Sequence, residues 1–276
     1  MARFTRFTVG DVEVFVLSAG PLPIGTPDAV FAPLPGPWEH LDGLEPGEQV
    51  VVPQNVLALR RGNQIALLDT GSSDDDVPGS PLELALNEAG LRRDAVDTIL
   101  LSHAHRDHVG GILCSDGSLR FPSAKIHLHS ADLDFWLSDE RMGTPRERSA
   151  REAQRTLGPH RDRIRTFEDG QEPFPGVVVI HTRGHTPGHS SFMVSSGGQS
   201  LFVAGDIIHH RCQFDFPDIG MRFDVEMEEG TRMRQRLLDH LATASTPAYF
   251  YHLPATHPVR VERLGSGSGF VPVEYR

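Results

Sequence analysis

Cysteine is scarce. The 276-residue sequence has two, Cys114 and Cys212, in no CxxC pair. That excludes a disulfide framework and a thiolate zinc site, and both are read as free thiols. No apolar run approaches the roughly 20 residues of a membrane helix. Met1 to Phe15 carries Arg3, Arg6, Asp11 and Glu13 where a signal peptide needs an unbroken apolar core. The protein is therefore expected to be soluble, unexported and cytoplasmic. Basic residues are also short, 26 against 37 acidic, a formal charge of −11. A chain this acidic has no footprint for sequence-blind nucleic-acid binding, so no such partner and no membrane is expected. Aromatics make up 7%, yet 15 Phe and a 38% hydrophobic share suffice for a real core and exclude disorder. There is no strong repeat, no low-complexity run and no composition shift after residue 50. One domain over 1–276 is expected.

Residues 7 to 17 alternate apolar and polar and predict an opening strand. Residues 20 to 49 hold seven prolines from Pro21 to Pro46, with Gly25, Gly36, Gly43 and Gly47 among them, which argues against helix or central strand. Ile24, Val30, Phe31, Leu34 and Trp38 make this stretch too apolar for a plain linker. It is expected to be an extended arm over the domain or over a partner chain, which makes it a candidate homodimer contact. VVPQNVLALRR and NQIALLDTG predict two strands joined at Gly62-Asn63. Ser80-Pro81-Leu82-Glu83 and Thr144-Pro145-Arg146-Glu147 predict capping boxes, opening helices over 81–89 and up to Gly158-Pro159. Further strands are expected at 96–103, 125–130, 176–182 and 199–206. Helices are expected at 131–140, with Ser130 as cap, and at 228–243. The tail after residue 265 predicts a turn and a short strand.

Histidine is abundant, 15 in all, and bunched. Four apolar runs end in a polar residue and a turn: IALL in Asp69, TILLS in His103, VVVIHTRG in His185 and LFVAG in Asp206. In α/β proteins, ligands collect beyond strand ends, so these four ends are expected to share one sheet edge. The densest cluster is His103-Ala104-His105-Arg106-Asp107-His108-Val109-Gly110-Gly111. On an extended backbone, residues i and i+2 point the same way, so His103 and His105 can share one cation. Asp107 and His108, past the turn, can face a second. Gly110-Gly111 lets the chain fold closely beside them. Four ionisable groups this close repel or desolvate one another unless a cation organises them.

His-x-His-x-Asp-His at 103–108 resembles the signature of the metallo-β-lactamase superfamily. The later motifs agree in order: Gly184-His185-Thr186-Pro187-Gly188-His189-Ser190, Ala204-Gly205-Asp206, and His252-Leu253-Pro254, with Asp69-Thr70-Gly71 ahead of them. The likeness runs from about residue 9 to the end. Within the superfamily the sequence most resembles methyl parathion hydrolase and the related quorum-quenching lactonases, in Asp132–Leu137 with Phe135-Trp136, in Gly205-Asp206 to Gln213-Phe214-Asp215, and in His252-Leu253 followed by Phe270-Val271-Pro272-Val273.

The resemblance implies an α/β fold of αββα four-layer sandwich type and a two-metal site. His103, His105 and His185 would hold one metal, Asp107, His108 and His252 the other, with Asp206 bridging. Imidazole and carboxylate without thiolate suit two divalent ions, Zn first, with Mn, Fe or Co as alternatives. Such a pair, about 3.5–4 Å apart, can share a hydroxide and polarise a carbonyl or phosphoryl oxygen. Asp107 and Asp206 thus enter the chemistry. Asp69 is expected to orient a ligand histidine from behind, and His189 to stand behind the ligands too. Where lactone hydrolases of the superfamily often have tyrosine, three places after the bridging aspartate, this chain has His209, a candidate proton donor. His257 is an extra histidine near the last motif, and spacing favours His252 over it. Phe31, Trp38, Trp136 and Phe214 are candidates to line an apolar substrate pocket. The expected activity is hydrolysis of a small-molecule lactone, ester or phosphotriester. The alternatives are a glyoxalase-II-like thioesterase, a mononuclear iron persulfide dioxygenase, nucleic-acid processing, and a non-catalytic metal-binding protein.

Overall fold

The computed structural model describes residues 3–32, 47–73, 77, 79–254, 256–265 and 269–275. In chain order the first half supplies β1 (Phe4–Val9), β2 (Val12–Gly25), α1 (Pro27–Val30), β3 (Phe31–Ala32), β4 (Val50–Arg61), β5 (Gln64–Leu68), α2 (Pro81–Glu88), β6 (Thr98–Leu100), α3 (Arg106–Val109), β7 (Lys125–His129), α4 (Ser130–Leu137), α5 (Glu147–Leu157) and β8 (Ile164–Phe167). The second half supplies β9 (Val177–His181), β10 (Ser190–Ser196), β11 (Gln199–Val203), α6 (Cys212–Asp215), β12 (Gly220–Met221), α7 (Met227–Ala244), β13 (Ala248–Tyr249), β14 (Val259–Arg263) and β15 (Phe270–Glu274).

Among the described residues, two large sheets result, ordered β1-β2-β4-β5-β6-β7-β8 and β15-β14-β13-β11-β10-β9, with β12 and β3 pairing as a small third. Alternation decides how they pack. Val12, Val14, Val16, Leu57, Leu59, Ala66 and Leu68 on one sheet meet Val177, Val179, Phe192, Val194, Leu201 and Val203 on the other. The residues between them in the first sheet, Phe15, Leu17, Val56, Ala58, Ile65 and Leu67, point outward beneath Leu82, Ala85 and Leu86 of α2; Trp136 of α4 and Ala150, Ala153 and Leu157 of α5 join the same core. On the far side Phe202, Ala248 and Val261 pack with Leu237, Leu238 and Leu241 of α7. The layers are therefore helix, sheet, sheet, helix, the αββα sandwich the resemblance implies. No helix among the described residues is long and apolar enough to cross a membrane.

Several local expectations need correction. The opening strand is a hairpin. Gly10, at φ +58°, turns the chain between β1 and β2, a conformation glycine adopts without steric cost. Residues 20–25 are not an arm, because β2 continues through Pro21 and Pro23 and pairs with Val51–Pro53 of β4. Pairing with β1 stops at Leu17, so these prolines sit on an edge where a missing N–H costs no ladder bond. Residues 27–30 form a helical turn, and Phe31–Ala32 pairs with β12. Leu34 and Trp38 lie outside the described residues.

The caps also differ. Ser80 is left-handed (φ 46°) and makes no side-chain cap. Glu83, which should reach back to it, instead accepts from Arg120 at 2.9 Å. The box before α5 is displaced, since Thr144 Oγ1 accepts from the Arg146 N–H (3.1 Å) and Glu147 from the Gly143 N–H (2.8 Å). The cap of α4 is His129, whose Nδ1 accepts from the Ala131 N–H at 3.2 Å. The strand expected at 96–103 narrows to Thr98–Leu100, which frees residues 101–108 to build the site.

Candidate metal centre

The polar groups flagged by the sequence converge beyond strand ends, but from both sheets and not along the edge of one as expected. Asp69 follows β5, residues 101–108 follow β6, His185 follows β9, Asp206 follows β11 and His252 follows β13. Backbone bonds lock the first two together, Asp69 N–H to Leu100 O and Thr70 N–H to His108 O, each 2.9 Å. The glycine pair after His108 is there because nothing larger fits. A Cβ on Gly110 would lie 2.4 Å from Ser73 N, and one on Gly111 would lie 2.0 Å from Thr70 O.

Among the described residues, three groups of side chains offer ligand atoms within 4.8 Å of one another: His103, His105 and His185; Asp107, His108, Asp206 and His252; and His185, Asp206 and His209. Asp206 belongs to the last two. Its Oδ2 lies 3.4 Å from His185 Nε2, 3.3 Å from His252 Nε2, 3.1 Å from His209 Nε2 and 3.8 Å from His103 Nε2, and its Oδ1 lies 3.2 Å from His108 Nε2.

Proton bookkeeping shows what this arrangement needs. His105 Nδ1 faces both His103 Nε2 and His185 Nε2 at 2.9 Å. His185 Nδ1 faces the Asp224 carboxylate at 2.7 Å and so carries the proton, which leaves Nε2 as a lone pair. A single proton on His105 Nδ1 cannot serve two acceptors. Three imidazole nitrogens therefore crowd one spot, and no single proton satisfies them all. His108 donates from Nδ1 to Asp69 (2.9 Å), and its buried Nε2 and Asp206 Oδ1 complete no hydrogen bond. Buried polar atoms left so are rare unless an ion or water satisfies them. The donor set, imidazole nitrogen and carboxylate oxygen, fits divalent metal ions.

The titration behaviour divides the cluster. Burial, helped by imidazole neighbours, holds His103 and His105 well below the usual histidine range, and burial does the same for His185, leaving neutral ligands. Burial acts the same way on His252, but Asp206 and Asp107 outweigh it and lift it to about 10. His108 is raised likewise, by Asp206 and Asp69 against burial. Burial would raise Asp107 and Asp206, but the histidines beside them hold both well below the carboxylate range. Without a cation, protons on His108 and His252 balance the carboxylates.

The supporting groups are in place. Asp69 accepts from the Ser102 N–H and hydroxyl, each at 2.8 Å, while gripping His108. His189 accepts the Asp206 N–H on Nε2 at 3.0 Å and turns Nδ1 toward Thr182, so it positions Asp206 and belongs to none of the ligand groups. Burial pushes it down to about 3, which keeps that acceptor neutral. His252 donates from Nδ1 to Pro53 O at 2.9 Å, and Asn55 clamps the carbonyls on either side, those of Tyr251 and Leu253, at 2.8 Å each. His257 is half-buried, 3.9 Å from Glu274, and outside the cluster.

Sequence reasoning missed three supports. Asp224 orients His185. Asp132 accepts from Ala104 N–H (2.8 Å) and Gly188 N–H (2.9 Å), tying two of the metal loops together. Tyr251 donates its hydroxyl to Asp107 O at 2.7 Å and lays its ring beside His108. Asp224 and Tyr251 sit in no spaced motif, and only Asp132 fell within a stretch the resemblance marked. Asp224→Ala is expected to weaken divalent-metal binding at the three-histidine group about 10- to 100-fold, measured by competition with a chromophoric chelator.

A cavity of about 410 Å³ opens over these groups, lined by His105, Asp107, His185, Asp206, His209 and His252 and by residues of β2 and of the region around α5. Of the aromatics expected to line it, Phe31, Trp136 and Phe214 are not on its wall. Phe31 is buried among Leu22, Val30 and Met221. Trp136 is buried behind the site, edge-on to His105 at 5.0 Å. Phe214 packs on Phe250 beneath α7. Large aromatics gain most from full burial, and here the core takes all three. Trp38 lies outside the described residues.

Residues 50–252 match the metallo-β-lactamase superfamily. YobT of Bacillus subtilis is 30% identical over 166 residues, 58% of this chain and 64% of that protein. A probable metallo-hydrolase of Mycobacterium tuberculosis is 26% identical over 143 residues, 47% of this chain and 43% of that one. The matched part thus spans less than two thirds of either relative. Among solved structures, the hydrolase AbOPH of the β-lactamase superfamily superposes with a TM-score of 0.88 at 24% identity, covering 100% of this chain and 98% of that one. AidC, a dizinc quorum-quenching lactonase, gives 0.88 at 24%, covering 99% and 97%. These likenesses show the fold, and the family match spans most of the chain and ends at His252. This chain belongs to the metallo-β-lactamase superfamily.

Proposed function

We propose that the protein is a dinuclear metal-dependent hydrolase that opens a lactone or cleaves an ester or phosphotriester of a small molecule. The observation that carries this is the sharing of Asp206 between neighbouring ligand groups at the floor of one cavity. In this reading His103, His105 and His185 hold one ion, Asp107, His108 and His252 the other, and Asp206 both. Zinc is the first choice, with Mn, Fe or Co as alternatives. When bound, such ions supply an activated water and polarise the oxygen of the bond under attack. The chain's own residues hold the geometry: Asp69 and Asp224 fix the tautomers of His108 and His185, and His189 holds the backbone of Asp206. His209 lines the cavity 3.1 Å from Asp206, where it is placed to give a proton to a departing alkoxide. The complete Asp107–His108–Asp206–His252 group favours two metals over a mononuclear iron enzyme. The test is a panel of lactones, aryl esters, phosphotriesters and glutathione thioesters with the metal-loaded protein. Turnover of a member of the first three classes above a metal-only blank is expected. Iron-specific sulfite release from glutathione persulfide in air, with no hydrolysis of the panel, would overturn the reading.

A further inference from the structure

The cavity over the ligand cluster has two unlike walls. Leu22, Pro23 and Ile24 at the end of β2, with Phe223, make an apolar one. Arg106 at the start of α3, with Arg146 and Arg148 at the start of α5, makes a cationic one. This runs against a chain with 37 acidic and 26 basic residues. Among the described residues, the carboxylates on the lining are Asp107 and Asp206, both committed to the ligand cluster.

Two of the arginines are set up differently. Arg146 is half-buried and donates from Nη1 to Phe223 O (2.9 Å) and from Nη2 to Asp224 O (2.6 Å). Carbonyl oxygens orient a guanidinium without cancelling its charge, so Arg146 is a fixed cation and a strut for the segment bearing Asp224. Arg148 is exposed and makes no hydrogen bond or ion pair among the described residues. The acidic neighbours on its helix are engaged elsewhere, Glu147 with Arg151 and the Gly143 N–H, and Glu152 with Arg155. A free guanidinium fork at the mouth of a small cavity suits a carboxylate.

We infer that the substrate is an ester or lactone with an apolar body and a carboxylate remote from the bond that is cleaved, and that Arg148 selects it by pairing with that carboxylate. The inference rests on the hydrolase reading. It makes Arg148 a specificity residue, with the apolar body lying along Leu22, Ile24 and Phe223.

The test compares two esters of equal chain length on the metal-loaded protein, p-nitrophenyl octanoate and the mono-p-nitrophenyl ester of suberic acid. At low salt the carboxylated ester is expected to lead in kcat/KM by about two- to fivefold, and the lead to shrink as salt screens the pair. Arg148→Glu is expected to abolish or invert the preference, mainly through KM, with Arg148→Gln between. Circular dichroism confirms that each variant is folded. Equal or lower kcat/KM for the carboxylated ester overturns the inference, as does a preference that survives Arg148→Glu. Calorimetric titration with suberanilic acid and octananilide, amides with the same two tails, reads binding without turnover. Arg148-dependent binding of the acid with neither ester cleaved would count against the hydrolase reading and for the anion site. Cleavage of the octanoate ester with no preference for the carboxylated tail does the reverse.

Discussion

With alanine at Asp206, the protein is expected to lose its metals and its turnover together. Asp206 faces the Nε2 atoms of more histidines than any other carboxylate among the described residues, within 3.1 to 3.8 Å of His103, His185, His209 and His252 through Oδ2. It is buried, 3% exposed, so no water takes over its charge cheaply. Its removal leaves the neutral three-histidine group without an anion and the other group with Asp107 alone. Removing one preorganised electrostatic contact from an active site costs about 10²–10³ in rate, and here two ions lose a shared ligand, so a fall of at least about a thousandfold is expected. Asp206→Asn separates charge from shape. It keeps a similar side-chain outline, yet it too is expected to lose metal, because an amide is a weaker ligand and leaves the positive charge unbalanced. Kinetics paired with elemental analysis of both variants checks this. Full activity in Asp206→Ala would remove Asp206 from the mechanism.

Stripping the metal with a chelator is expected to bring turnover to background and to lower the midpoint of thermal unfolding sharply. A ligand that binds the folded state alone stabilises it by about 4 kcal/mol at a free concentration a thousand times its dissociation constant. For a chain of this length, that corresponds to roughly 8–16 °C. Part of the binding energy goes into expelling protons. His252, lifted to about 10 by Asp206 and Asp107 against its burial, is protonated at neutral pH when no cation is present. Metal and proton compete there, so affinity is expected to fall as pH drops through the neutral range and metal loading to release protons. Calorimetric titration of zinc at matched pH in buffers of different ionisation enthalpy counts them. No proton release and no change in midpoint would contradict this account.

The site was legible in the sequence to a greater extent than the scaffold's details. Ligands announce themselves through residue type and spacing, and His103, His105, Asp107 and His108 lie within one short turn. The more distant His185 and Asp206 could be placed because apolar strands lead up to them, and His252 through the resemblance alone. Parts of the fold left weaker traces. β10 begins and ends in serine pairs, and β13 is two residues long, so neither presents a run that periodicity can detect. Pro21 and Pro23 argued against a strand, but the edge position of β2 removes the reason. Ser80 looked like a cap until Glu83 found Arg120. Asp224 was out of reach because it stands in no motif that spacing or the resemblance marks, and the fold alone brings it to His185. The expected pocket aromatics went into the core instead. A buried ring and a pocket-lining ring have the same sequence signature, and only packing separates them.

Zinc titration of chelator-stripped protein, with bound metal counted after gel filtration, tests the central claim most directly. The account predicts saturation at two ions per chain, and the loss of both in Asp206→Ala. Saturation at one ion, or no retained metal at all, would contradict it.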